Sequence, residues 1–76
     1  MDNQKVIIQR RDGFFWCEEL EMWASSRELA TEYCFATVGM VECSDDVVME
    51  NYFETSDCDA GWTDGFGDVV AMVVPA

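Results

Sequence analysis

Four cysteines, a run of aspartates and a string of carboxylates four residues apart are the features of this chain that could do chemistry. Cys17, Cys34, Cys43 and Cys58 contain no Cys-x-x-Cys pair, and the chain has no histidine, so no familiar zinc ligand set is assembled. The cysteines are interleaved with apolar residues and read as reduced core thiols, with Cys58 the exposed one. In residues 57–68, Asp57, Asp59 and Asp68 take the first, third and twelfth places of an oxygen-ligand calcium loop. Its diagnostic places are wrong, because Gly61 stands fifth, Trp62 stands where the sixth-position glycine is required, and the last acid is Asp rather than Glu. A solvated acidic loop anchored by its aromatics is the expectation, with calcium binding the alternative. Catalysis is not expected. The commonest general base is missing, adjacent acids such as Glu18/Glu19 and Asp45/Asp46 read as plain surface charge, and no phosphate-binding glycine loop is present. No metal or cofactor is expected.

What remains is the acid itself. Sixteen Asp and Glu face four Lys and Arg, a net charge of −12 over 76 residues. All four bases, Lys5, Arg10, Arg11 and Arg27, precede residue 28, whereas Glu28, Glu32, Glu42, Asp45, Asp46, Glu50, Glu54, Asp57, Asp59, Asp64 and Asp68 come after them with no base in their midst. Such a surplus disfavours direct contact with DNA, RNA or anionic lipid. It serves solubility or salt adaptation, or else it is a binding surface for something basic. Residues four apart on a helix hold their Cβ atoms about 5–6 Å apart, a spacing comparable to that of successive phosphates. On a helix, Asp46, Glu50 and Glu54 form such a row, with Glu42 upstream and Asp57 and Asp59 downstream, and Asp64, Glu28 and Glu32 extend the acidic surface. An exposed aromatic from Phe35, Trp62 or Phe66 would supply the desolvated anchor that carboxylates lack, unless these rings plug the core.

The elements that must position these groups are read from pattern. Val6, Ile7 and Ile8, then Asp12-Gly13, then Phe14 to Cys17, predict a hairpin over about 4–20 with a two-residue loop. That loop sets Ile8 opposite Cys17 and Arg10 opposite Phe15, with Ile7, Phe14, Trp16 and Leu20 on the other face. Ser25 with Glu28 is a capping-box pattern, and Leu29, Ala30, Tyr33, Cys34 and Thr37 recur at helical spacing, which predicts a helix over 26–38 ended by a left-handed Gly39. Glu28, Glu32 and Phe35 fall near its opposite face. Met40 to Cys43 reads as a short strand. Residues 44–54 are ambiguous, with a slight preference for helix over strand. Residues 55–68 read as a long loop holding Trp62 and Phe66, and Asp68 to Val74 as a buried central strand stopped by Pro75.

The expected fold class is α+β: one compact domain over 1–76, with a small antiparallel sheet, the N-terminal hairpin plus the C-terminal strand, packed against one or two helices. No apolar run reaches the roughly 18 residues of a membrane span, and the start has no signal-peptide core, so a soluble, cytoplasmic protein is expected.

In size, charge and compact character, though in no residue motif, the chain resembles small acidic bacteriophage proteins that inhibit host defence or repair enzymes by occupying a nucleic-acid site, anti-CRISPR proteins and uracil-DNA glycosylase inhibitors among them. The resemblance implies a stoichiometric inhibitor in the cytoplasm of an infected bacterium, its partner a basic nucleic-acid-binding protein or ribonucleoprotein complex. A structural or assembly protein that self-associates through the aromatic hairpin face is the alternative from another class.

Overall fold

Hydrophobic pairing between distant segments, rather than local helix propensity, decides the architecture. In a computed structural model the described residues are 4–43, 47–56 and 59–76. Among them the chain runs β1 (Lys5–Arg10), β2 (Phe15–Cys17), β3 (Met22–Ala24), a 3-10 turn (Arg27–Leu29), β4 (Tyr33–Cys34), α1 (Phe35–Val38), β5 (Asn51–Ser56), β6 (Asp59–Thr63) and β7 (Val69–Pro75). The strands form one antiparallel sheet in the order β3-β2-β1-β7-β6-β5, with β4 also pairing β1. The α+β expectation is thereby corrected: among the described residues, helix is confined to the four residues of α1 and a single 3-10 turn. None of the described helices is long and apolar enough to cross a membrane.

The missing helix over 26–38 shows which effect wins. Ser26 does cap a turn, its hydroxyl accepting from the Glu28 N–H at 3.2 Å, but at Ala30 the backbone is already extended (ψ 134°). From residue 31 the sheet claims the chain. Thr31 donates its N–H to the Trp16 carbonyl at 3.0 Å and accepts the Glu18 N–H on its hydroxyl at 2.8 Å, and Tyr33 and Cys34 pair with Val6 and Lys5. Thr and Tyr lose side-chain freedom in a helix and pack well on a pleated surface, so tertiary pairing overrides a weak local signal. Gly39 does end a helix, but in the right-handed region (φ −64°). Its use is spatial: a Cβ there would stand 2.8 Å from the Tyr52 ring.

The hairpin exists with a different register. Gln9 lies opposite Phe15, the Arg10 N–H donates to the Phe14 carbonyl and the Gly13 N–H to the Arg10 carbonyl, so the loop is the three residues Arg11, Asp12 and Gly13. Gly13 has φ +100°, the left-handed glycine that closes a three-residue hairpin loop. One extra loop residue moves the pairing by one, and a one-residue slip exchanges the two faces. Ile8 therefore shares a face with Trp16 rather than with Cys17.

Further along, residues 41–43 are irregular instead of the expected strand, and the helix expected over 44–54 is replaced, beyond the undescribed residues 44–46, by an irregular stretch 47–50 and the start of β5. The expected loop over 55–68 conceals β6, whose Asp and Gly content disguises the buried sequence Ala60, Gly61, Trp62. Gly61 marks close backbone approach: a Cβ there would lie 2.6 Å from the Ala71 carbonyl oxygen. The expected buried strand is β7, and it is central, between β1 and β6.

Across the sheet one register row reads Phe53, Gly61, Met72, Gln9, Phe15, Ala24, and the adjacent row reads Tyr52, Trp62, Ala71, Arg10. Paired residues point to the same face, so these rows define its two sides. The second side carries the core, where Val6, Ile8, Trp16, Trp23, Trp62 and Val73 meet Phe35 and Val38 of α1, with Val41, Cys43, Val47 and Met49 packed against them. The Trp16 and Trp23 rings meet edge to face at 5.3 Å, and the molecule is only 18 Å thick. That is room for the sheet and one covering layer.

Candidate functional site

Folding turns the lopsided sequence into a lopsided sheet. Lys5 and Arg10 belong to β1, Arg11 to the first hairpin loop and Arg27 to the 3-10 turn, so β6, β5 and the segment leading into β5 carry acids without a base, and β7 carries neither sign. Two of the bases on the other half are tightly engaged. Arg10 forms a two-pronged bond to Asp12, both contacts at 2.8 Å, and lies 5.0 and 5.3 Å from the Phe14 and Trp23 ring centres. The bond from Arg10 holds the Asp12 carboxyl below its ordinary value. Arg27 donates to the Pro75 carbonyl and sits 6.0 Å above the Phe15 ring. Among the described residues, Arg10–Asp12 is the ion pair formed.

On the base-free half, Glu42, Glu50, Glu54 and Asp59 are exposed and Asp64 is half-buried. Glu50 is fixed by its backbone N–H, which donates to the Thr63 carbonyl at 3.0 Å. It shares with Glu42 a concavity of about 430 Å³ lined also by Met40, Met49, Tyr52 and Trp62. Glu54 accepts the Tyr52 hydroxyl at 3.1 Å, and burial, reinforced by that neighbouring carboxylate, pushes the Tyr52 phenol up to about 12. Asp59 accepts the Thr55 hydroxyl at 2.7 Å. Asp64 organises the turn after β6: its Oδ1 accepts the N–H groups of Phe66 (2.8 Å) and Asp68 (3.0 Å), and its own N–H donates to the Asp68 carbonyl.

Several expected site residues are placed otherwise. A strand rises about 3.3 Å per residue, so Glu50 and Glu54 are roughly 13 Å apart along the chain rather than one helical turn, and the close-spaced row is lost. Asp45, Asp46 and Asp57 lie outside the described residues. Glu28 and Glu32 are exposed beside the hairpin and β4, without the helix that was to align them with Phe35. Phe35 itself packs into the core, as does Trp62, which is 4% exposed. Of the three rings considered as surface anchors only Phe66 is on the surface, at 93% exposure. A ring flanked by two glycines in an Asp-rich turn was the available signal.

A second acidic concavity had no sequence signal. Trp16, Glu18, Glu21, Glu42 and Cys43 line a hollow of about 610 Å³, and the Tyr33 hydroxyl donates to Glu18 at 3.0 Å. Burial, then the Glu18 charge, pushes the Cys43 thiol up to about 12, and burial with the Glu18 bond also raises the Tyr33 phenol. This thiol and these phenols are therefore held protonated, the opposite of an activated nucleophile. Among the described residues, no three His, Cys, Asp or Glu come together as a group able to hold a metal ion. No protein-family model, curated protein or solved structure matches the chain.

Proposed function

We propose that the protein is a binding module whose base-free half occupies the basic nucleic-acid-binding surface of a partner protein or ribonucleoprotein complex and so inhibits it, in the manner of the small acidic phage proteins it resembles. The observation that carries this reading is the segregation of charge. Glu54 and Asp59 lie on β5 and β6, Glu50 directly before β5 and Asp64 directly after β6, while Glu42 shares a hollow with Glu50, and none of these segments carries a Lys or Arg. Interspersed charge would serve stability better, since like charges gathered on one side raise the energy of the compact state. A surface of one sign also steers association with an oppositely charged partner and weakens with salt.

The decisive experiment is capture of basic nucleic-acid-binding proteins on the immobilised chain, with free nucleic acid as competitor, for wild type and for the triple variant Glu42→Lys, Glu50→Lys, Glu54→Lys. Wild type retains such a protein, nucleic acid displaces it, and the variant, folded by circular dichroism, binds at least about a hundredfold more weakly. A folded variant that binds as wild type does, or a partner that nucleic acid cannot displace, refutes the reading.

A further inference from the structure

The acidic half also holds apolar surface around Phe66, the exposed one of the three candidate anchor rings. Val47, Val48, Phe66 and Val70 line a shallow groove of about 520 Å³ rimmed by Glu50 and Asp64, with Val48 at 58% and Phe66 at 93% exposure. The turn presenting the ring is built. Asp64 ties down the N–H groups at 66 and 68, the Gly67 N–H donates to the Asp64 carbonyl, and Gly67 adopts φ +86°. Gly65 lies against Glu50, and a Cβ there would stand 2.6 Å from a carboxylate oxygen at the end of that flexible side chain, which would have to move. The ring is therefore held out over the groove beside two carboxylates.

We propose that this groove seats a lysine or arginine side chain, flanked by an aliphatic residue, from a basic segment of a partner protein. The alkyl stem lies along Val48, Val70 and the Phe66 ring while the cationic head meets Glu50 and Asp64. Long basic side chains bury their stems on apolar surface in this way, and a cation near an aromatic face gains further attraction. The rim selects the occupant: Glu50 and Asp64 are complemented by a cationic head and the valines and Phe66 by its alkyl stem, while Arg10 and Arg11, which share Val47 and Val70 with a neighbouring hollow, bound the groove on its β1 side. The inference rests on the reading of the base-free half as a docking surface and names its anchor.

The test is a titration of isotope-labelled protein, monitored residue by residue by NMR at low salt, with a six-residue peptide of alternating leucine and arginine and a control in which glutamate replaces arginine. The arginine peptide is expected to shift Val47, Val48, Phe66 and Val70 saturably and the control to shift none of them. Phe66→Ser and Val48→Ser, both at exposed positions, are each expected to weaken binding about tenfold, as loss of an anchor does. Shifts confined to Glu54 and Asp59, with both variants binding as wild type does, overturn the groove and leave the acidic docking surface standing. An arginine peptide that shifts nothing overturns both.

Discussion

Tyr52 couples the acidic surface to the stability of the fold. Its phenol, ordinarily near 10, is pushed up to about 12 by burial and by Glu54, and Tyr33 is raised by burial and Glu18. A raised folded-state value means that the native protein keeps a proton that the unfolded chain releases. The stabilisation is complete below pH 10 and fades as pH rises from about 10 towards about 12 at Tyr52. Urea midpoints measured across that window are expected to fall with pH, and Tyr52→Phe to flatten the decline. An identical slope in the variant would place the cause elsewhere. The same residue shows what was legible at this scale. The acids could be counted from the chain and their lack of bases noted, but whether a ring or a carboxylate faces water depends on register. Trp62 and Phe66 sit four residues apart in similar Asp- and Gly-rich company, yet one is a core ring opposite Tyr52 and the other stands out on a turn.

At the scale of elements, the first hairpin loop sets the faces of β2. Arg11, Asp12 and Gly13 form a three-residue loop that turns Trp16 towards Ile8 and Trp23. Deleting Arg11 leaves the two-residue Asp-Gly loop that short-range pattern favours, and Arg10 and Phe14, which already flank the loop, stay opposite each other, so Trp16 keeps its place beside Ile8. The deletion gives up the bond from the Arg11 N–H to the Val70 carbonyl, and it is expected to cost no more than about 1–2 kcal/mol and to leave unfolding cooperative by tryptophan fluorescence. Loss of cooperative unfolding in the deletion would show that the three-residue loop itself, rather than the pairing of its flanks, holds the register. β7 was legible because a continuous apolar run has few other homes, and β1 and β2 because their β-rich segments flank a turn signal. The helix over 26–38 misled because Tyr33 and Cys34 suit a helical stripe and a paired strand equally well, and only β1 decides between them. β6 was hidden because strand periodicity needs side chains, and Gly61 has none.

For the whole molecule, −12 on a body measuring 32 × 28 × 18 Å is a standing cost. Self-repulsion falls as salt screens it. Raising sodium chloride from low to physiological and higher levels is expected to stabilise the fold by about 1 kcal/mol, roughly 4–8 °C in Tm for a domain of this size. The same additions weaken any electrostatic docking, so stability and binding are expected to move in opposite directions. A Tm indifferent to salt would mean that the acids lie too far apart to repel. Neither magnitude could be read from the chain, because it depends on how the sheet distributes its charges.

The strand order has a consequence for how the protein is made. β1 finds its long partner in β7, with Val6 opposite Pro75 and Arg10 opposite Ala71. Between those strands lie some sixty residues, about 3–12 s of synthesis at ordinary ribosomal rates. Throughout that interval the nascent chain offers Val6, Ile7 and Ile8 along an open edge, and no intermediate can finish the sheet around them. The newborn protein therefore passes through a window in which its own core strand is adhesive, and neighbouring chains on one message, each wearing the same surplus of negative charge, are held apart by the acids already translated.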